Sequence, residues 1–379
     1  MSDSMPHEWD DDEQSETDNT FAEHEVIADA FGRSADPLAE FDATFKSLDV
    51  DPFELYIREH LQPAGRSEDT IGNYRRTYRY WQEHMDKHDR HPACPNEGHL
   101  RSFATWRVEE GNSHRYTIEM LKKLRRTFDY FQRSASFPHS TDYNPVYAVL
   151  GKLSLKSEKP QEPIPMNLSE ASEEVRAINH VRDRAMIVLQ FKCGLRVGEL
   201  VNIKIEDMHI SNHDVTDHYG DMGTAEGLDG REDAVYIPFD RDGNKSQRPR
   251  VVPLDDEARK VLLEYLLIRP NLDTPWLFLT DNGKQWNTDN VNELVWLKHF
   301  HPEWSGNERY RGVTSHYGRH FFSTWFHENT SMTRSEVKYM RGDMQQSGDV
   351  PAEAINSYIH VYYEDVEPKY RQEVFKFGL

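Results

Sequence analysis

Apolar residues recur three and four positions apart through much of residues 51–150, and that spacing predicts helices that each bury one face. Ile71, Tyr74, Tyr78, Trp81 and Met85 form one such stripe, and Ser67 or Thr70 can cap the helix that carries it. Ile118, Leu121, Leu124, Phe128 and Phe131 form another, predicting a helix over about 114–133; Leu100, Phe103 and Trp106 predict a shorter helix between the two. Arg75, Arg76 and Arg79 fall off the first stripe, and Lys122, Lys123, Arg126 and Arg133 off the second. A basic face outside an apolar core suits a module that grips phosphates, although a merely solvated charged face has the same make-up.

A polar stretch with three prolines, Lys152–Pro165, reads as a linker, and from Met166 the pattern changes. Ala185–Gly194 (AMIVLQFKCG) reads as a buried helix ending on glycine. Ala234–Phe239 and Arg248–Leu254 read as strands, joined by a hairpin turn over Asp240–Gln247. Residues 211–233, rich in Asp, Gly and His, read as a long acidic loop. Helices follow at about 257–268, 288–299, 315–328 and 334–341, the last with a Thr333/Glu336 capping box and a closing Gly342. The expected fold is mainly α with a small antiparallel sheet (α+β). The expected divisions are an acidic disordered tail (1–37), a helical domain (45–150), a linker (151–165) and a second domain (166–379).

The charge changes this picture in one respect. The net charge is −21, which looks hostile to a polyanion. Residues 1–37 account for −11 of it, whereas residues 51–150 carry 15 Lys/Arg against 14 Asp/Glu. A surface this acidic fits a salt-rich cytoplasm, where self-repulsion is screened; an ordinary acidic protein with a solvated tail is the plainer reading. Two cysteines, Cys94 and Cys193, exclude a disulfide scaffold and a cysteine-rich zinc module, and fit a reducing interior. No apolar run reaches the roughly 20 residues that span a bilayer, and the acidic N-terminus is unlike a signal peptide, so an intracellular protein without membrane contact is expected.

Phosphate-binding GxxxxGK, dinucleotide GxGxxG, nucleophile-elbow GxSxG and zinc HExxH patterns are all missing. Three local patterns remain. Gly194-Leu195-Arg196-Val197-Gly198-Glu199-Leu200 sets an arginine after a helix-ending glycine, with Glu199 three residues on and able to orient the guanidinium; a structural Arg–Glu pair would look the same. Ser315-His316-Tyr317-Gly318-Arg319-His320 places His316 and Arg319 on one face at a helix N-terminus, where an anion is favoured. Tyr358-Ile359-His360-Val361-Tyr362-Tyr363 is tyrosine-rich, which is commonly packing. His209, His213, Asp214, Asp217 and His218 have the side chains of a metal site but read better as solvated groups in an acidic loop.

In this order, the GLRxxEL, HxxRH and YxH elements resemble the tyrosine recombinases and phage integrases, haloarchaeal integrase-like members in particular, over about residues 50–379. The resemblance implies a C-shaped clamp on double-stranded DNA, built from a helical core-binding domain and a catalytic domain. It implies site-specific strand cleavage and rejoining through a 3′-phosphotyrosine, with no metal, ATP or other cofactor, by dimers or tetramers assembled on DNA. By position Arg196 and Arg319 would hold the non-bridging oxygens, His316 would assist proton transfer and Tyr358 would be the nucleophile. Glu199 would support Arg196. Arg75, Arg76, Arg79, Lys122, Lys123 and Arg126 would contact DNA. The family lysine lies in the turn between the two strands; Lys245 fills it here, although an ungapped register puts Asp242 there. Asp343 stands where the family has a second histidine or tryptophan, and the spacing from it to Tyr358 is longer than usual. That substitution keeps open a DNA-binding regulator or architectural protein, and a monomeric strand-passing nickase resembling type IB topoisomerases is a third reading. In the family the final segment, here Lys369–Leu379, docks on a neighbouring protomer; folding back on its own domain is the alternative.

Overall fold

Polar caps and buried aromatic stripes build the first of two units, Met1–Lys159 and Pro160–Leu379. The computed structural model describes residues 23, 26–152, 161–246, 248–343 and 355–379; of residues 152 and 355–361 it describes the backbone only. Most of the expected acidic tail therefore lies outside the described residues. Toward the tail's end, Asp36 accepts hydrogen bonds from Arg90 (2.9 Å) and Asn96 (3.2 Å), and Leu38 is buried.

Helices α1 (Asp42–Lys46) and α2 (Pro52–Tyr56) precede α3 (Glu68–Lys87), α4 (Glu97–Glu109), α5 (His114–Arg133) and α6 (Pro145–Lys152). Ser67 caps α3, an Asn96–His99 capping box opens α4, and Ser113 caps α5, each side chain accepting an otherwise orphaned amide. The stripes meet in one core around Phe53, Trp81, Phe103, Phe128 and Phe131. Two polar contacts run through this core: the Trp81 indole donates to the Pro92 carbonyl (2.9 Å), and the Tyr78 and Thr127 hydroxyls lie 2.6 Å apart.

The second unit is organised around α8 (Val181–Cys193), which follows β1 (Glu162–Pro163) and α7 (Leu168–Ala177). Every residue of α8 from Ala185 to Cys193 is buried, so its sequence is mostly apolar on every side and its two polar members, Gln190 and Lys192, are hydrogen-bonded. The chain continues through α9 (Val197–Val201), β2 (Met208–His209), α10 (His213–His218), β3 (Ala234–Ile237), β4 (Arg250–Pro253) and α11 (Asp256–Ile268). Strands β2, β3 and β4 form an antiparallel sheet in that order, with Val235 opposite both Met208 and Val252. After α12 (Thr288–Val291) and the helical turns that extend it come β5 (Tyr310–Arg311), α14 (Tyr317–Glu328), α15 (Arg334–Arg341) and α16 (Ile355–Glu373); α13 (Lys298–Phe300) ends the extension.

Several features depart from the sequence expectation. The parallel β1–β5 pair and β2 carry two residues each, too few for a period to register. The segment 211–233 is more ordered than a loop: Asn212 caps α10, and Val215, Met222 and Leu228 tie it to the core. Within it His213 pairs with Asp217 (3.1 Å), and no group of three metal-ligating side chains occurs among the described residues. The final segment folds back on its own unit. Phe375 and Phe377 are buried, and the fully buried Lys192 ammonium donates to Asp255 (2.7 Å) and to the Phe375 carbonyl (2.8 Å). The Glu257 carboxylate accepts from the amides of Phe377 (2.8 Å) and Leu379 (3.0 Å). Among the described residues no helix is long and apolar enough to cross a membrane.

Candidate active site

Gly194 ends α8 in the left-handed region (φ 61°), and a Cβ there would stand 2.7 Å from the Phe322 ring, so this turn admits glycine on both counts. The turn delivers Arg196 to the start of α9. There the Arg196 amide donates to Glu199 Oε2 (2.8 Å) and its Nη1 to Glu199 Oε1 (3.0 Å). Glu199 is buried and has two further donors, the Ser246 hydroxyl and Arg250 Nη2 (2.7 Å). Burial alone would raise its pKa, but the Arg250 charge and these hydrogen bonds outweigh that and hold it at about 2. The Arg196–Glu199 pair inferred from spacing is thus the edge of a larger buried network, whose other members the sequence reading missed. Arg250 is 0% exposed, on β4, and also donates to the Met340 carbonyl (2.6 Å). Its signal was an arginine on an otherwise apolar strand.

Arg319 lies one turn into α14, buried, with Nη1 donating to the Gly194 carbonyl (2.7 Å). Burial, reinforced by the like charge of Arg196, lowers its pKa to about 9, so it remains a cation at neutral pH. The start of α14 is fixed by Gln190 of α8, which donates to the Ser315 carbonyl (2.9 Å) and accepts from the Trp296 indole (2.6 Å). His316 follows as the N-cap and is solvent-accessible. Partial burial of its ring, then the charges of Arg311, Arg319, Arg196 and Lys245, lower its pKa below the ordinary imidazole value. The neutral form, able to accept a proton, is favoured.

Asp343 completes this cluster. Gly342 closes α15 in the left-handed region (φ 67°), and a Cβ there would stand 2.5 Å from Arg250 Nη1. The chain can therefore turn tightly enough to send Asp343 back over the arginines. One Asp343 oxygen accepts from both Arg196 Nη2 (2.8 Å) and Arg319 Nη2 (2.9 Å), and the other faces Arg341 Nε at 3.0 Å. Two guanidinium groups from elements more than a hundred residues apart thus converge on a single anionic oxygen.

The turn between β3 and β4 reaches the same cluster. A Cβ on Gly198 would stand 2.7 Å from the Gly243 carbonyl, so the turn rests directly on α9. The Asn202 amide donates to the Asp242 carbonyl (2.8 Å) and to Asn244 Oδ1 (3.0 Å), while Arg241 pairs with Asp207. Asp242 and Lys245 are both exposed, but Lys245 adjoins Ser246, which is bonded to Glu199, and its charge is felt at His316. Tyr358 falls in α16, and its side chain lies outside the described residues, as do Gln345–Glu353. Of the other two tyrosines, Tyr362 stacks on Tyr339 (5.4 Å) and Tyr363 is buried under Arg231 (4.8 Å), with burial raising its pKa to about 12.

In the first unit the basic residues divide. Arg75 is held bidentately by Glu54 (2.8 and 3.1 Å), and Lys122 by Glu119 (2.7 Å). Arg79 lies against Tyr80 (5.3 Å). Lys123 is half-buried within range of the charges of Glu119, Arg126 and Arg76, and the two arginines are exposed, so these three basic residues lie near one another.

Residues 166–342, which hold every member of this cluster except Asp343, match the phage integrase family. Tyrosine recombinase XerD of Listeria monocytogenes serotype 4b is 26% identical over 300 residues, covering 75% of this chain and 88% of that protein. XerD of Staphylococcus aureus is 26% identical over 340 residues, covering 84% and 97%. Among solved structures, the Tn1549 transposon integrase in complex with a circular intermediate DNA aligns with a TM-score of 0.57 at 14% identity, over 82% of this chain and 98% of that one. A lambda integrase dimer bound to a COC′ core site aligns with a TM-score of 0.56 at 12% identity, over 79% and 98%. The structural likenesses establish the fold, mainly helical with a small antiparallel sheet, and the sequence relationships agree with the cluster. The chain carries a phage integrase family domain over residues 166–342, and its sequence is similar to the tyrosine recombinase XerD proteins over most of its length.

Proposed function

We propose that this protein is a site-specific DNA recombinase that cuts and rejoins strands through a 3′-phosphotyrosine intermediate, assembled as dimers or tetramers on double-stranded DNA. The observation that carries the reading is the convergence of Arg196 and Arg319 on one anionic oxygen, because a scissile phosphodiester presents the same target. The XerD relatives, and integrases solved as a dimer on a core site and as a tetramer on a Holliday junction, support DNA as the substrate and self-association as the working form.

In this reading the Tyr358 phenol attacks the phosphorus, and neutral His316 takes up its proton. Arg196 and Arg319 hold the non-bridging oxygens and stabilise the charge of the phosphorane, each contact contributing about 10²–10³ in rate. Lys245 protonates the departing 5′-oxygen. The P–O bond to tyrosine replaces the P–O bond to deoxyribose, so attack of a 5′-hydroxyl on the phosphotyrosine reverses the step and no external energy source is consumed. A cytoplasmic, salt-rich setting fits the acidic composition. A second reading, a DNA-binding regulator without strand exchange, is favoured by one observation, the carboxylate of Asp343 lying on the two arginines.

A duplex carrying a nick next to the cleavage site separates the two. The recombinase forms a covalent adduct with such a duplex, and Tyr358→Phe abolishes it while retaining DNA binding. A folded wild-type protein that shifts the duplex without forming adduct supports the regulator.

A further inference from the structure

The anion site formed by Arg196 and Arg319 has a resident occupant. Asp343 presents to them what a phosphodiester presents, two oxygens sharing one negative charge. One oxygen bridges the two guanidinium groups, and the other meets a third cation, Arg341. We infer that Asp343 is an internal competitor for the scissile phosphate, a carboxylate that fills the anion site until a phosphodiester displaces it. The inference rests on the reading of Arg196 and Arg319 as the phosphate-binding pair.

The two carboxylates of the cluster differ in a way that fits this role. Glu199 is buried and held by Arg196, Ser246 and Arg250, so it is a fixed part of the scaffold. The Asp343 side chain is 25% exposed, and among the described residues it pairs with three arginine side chains. Its backbone is anchored separately, by the amide of Asp343 donating to the Lys338 carbonyl (3.0 Å). Only the carboxylate needs to rotate for the site to open.

Arg341, its side chain 34% exposed, provides a place for the displaced charge. In the present arrangement Asp343 is shared among three arginines. After displacement it can remain paired with Arg341 while phosphate oxygens take over Arg196 and Arg319. Leaving Asp343 in place would set two anions on the same two guanidinium groups, one of them buried, where like charges repel strongly. Displacement therefore accompanies phosphate binding. The arrangement also imposes selectivity. A simple anion must compete with a carboxylate at very high local concentration, whereas a phosphodiester within a gripped duplex brings the binding energy of its other contacts.

The test is titration of the full-length protein with tungstate, a tetrahedral oxyanion, by calorimetry at fixed ionic strength. Asp343→Asn and Asp343→Ser both remove the charge, and having two variants guards against misfolding of one, checked by thermal unfolding. Each is expected to bind tungstate at least tenfold more tightly than wild type, and the gain is expected to vanish in Asp343→Asn combined with Arg319→Gln. Unchanged or weaker binding by the folded single variants, or a gain that survives without Arg319, overturns the inference. The nicked-duplex assay reports separately on the reading beneath it. Adduct formation by wild type without a tungstate gain leaves the recombinase standing and removes the competitor. A tungstate gain without adduct in any variant does the reverse.

Discussion

Glu199 shows how a single side chain can make the candidate site costly to alter. It accepts from the Arg196 amide and guanidinium, from Ser246 and from Arg250, so it joins the turn after α8, the β3–β4 turn and β4. Glu199→Gln removes the charge that compensates the fully buried Arg250, and truncating one partner of such a pair costs about 3–5 kcal/mol. Urea unfolding at pH 7 should show a loss of that size. Because the Glu199 pKa is lowered to about 2, its stabilising contribution is present above the unfolded carboxyl value near 4.5 and disappears as pH falls toward 2. Wild type and Glu199→Gln should therefore converge in stability at the acid end, and a constant difference down to pH 2 would contradict the assignment. His316 carries the opposite kind of test. With its pKa depressed by burial and by Arg311, Arg319, Arg196 and Lys245, it stays neutral as pH falls through the unperturbed imidazole value of about 6.5. The rate of covalent adduct formation should hold its plateau through pH 6.5 and decline below it; a midpoint at or above 6.5 would remove His316 as the proton acceptor.

At the scale of elements, the second unit uses helix ends as positioning devices. The Thr333–Glu336 capping box begins α15 and Gly342 ends it, which sets where Arg341 and Asp343 meet the arginines. Thr333→Ala should cost about 1 kcal/mol in unfolding free energy, a typical value for a lost cap, with adduct formation slowed because α15 is less firmly placed. Unchanged unfolding would mean that packing of Val337, Tyr339 and Met340 fixes the helix without its cap. This helix, its box and its closing glycine were all legible in the sequence, as were α3, α5 and the β3–β4 hairpin, because each repeats a period or carries a terminal signal. The β1–β5 pair was not, since two residues cannot display alternation and their pairing joins positions about 150 apart. The site was legible to the same extent: Arg196 with Glu199, and His316 with Arg319, sit within one helical turn of each other. Arg250, Ser246 and the contacts of Asp343 are long-range and left no local spacing to read.

For the whole molecule, the distribution of charge carries more information than the total of −21. In the first unit the outward basic residues form two sets, Arg75 and Lys122 in ion pairs with Glu54 and Glu119, and Arg76, Lys123 and Arg126 near one another with no such close ion pair among the described residues, although Glu119 is within range of Lys123. Binding to duplex DNA should weaken with salt, with a slope of about −0.9 in log K against log salt for each phosphate neutralised. Replacing Arg76, Lys123 and Arg126 by alanine should flatten that slope by up to about 3, whereas Arg75→Ala with Lys122→Ala should change it by less than about 1. Equal effects from the two sets would show that the ion pairs open on DNA. The proposed function places the reaction at one phosphodiester held by Arg196 and Arg319 in the second unit. It is tested most directly by trapping the covalent adduct on a nicked duplex, digesting it with nuclease and trypsin, and locating the residual nucleotide by mass spectrometry. The expected result is a 3′-phosphonucleotide on Tyr358 and on no other residue. A label on Tyr362, Tyr363 or any other side chain, or no adduct from folded protein bound to the nicked duplex, would contradict it.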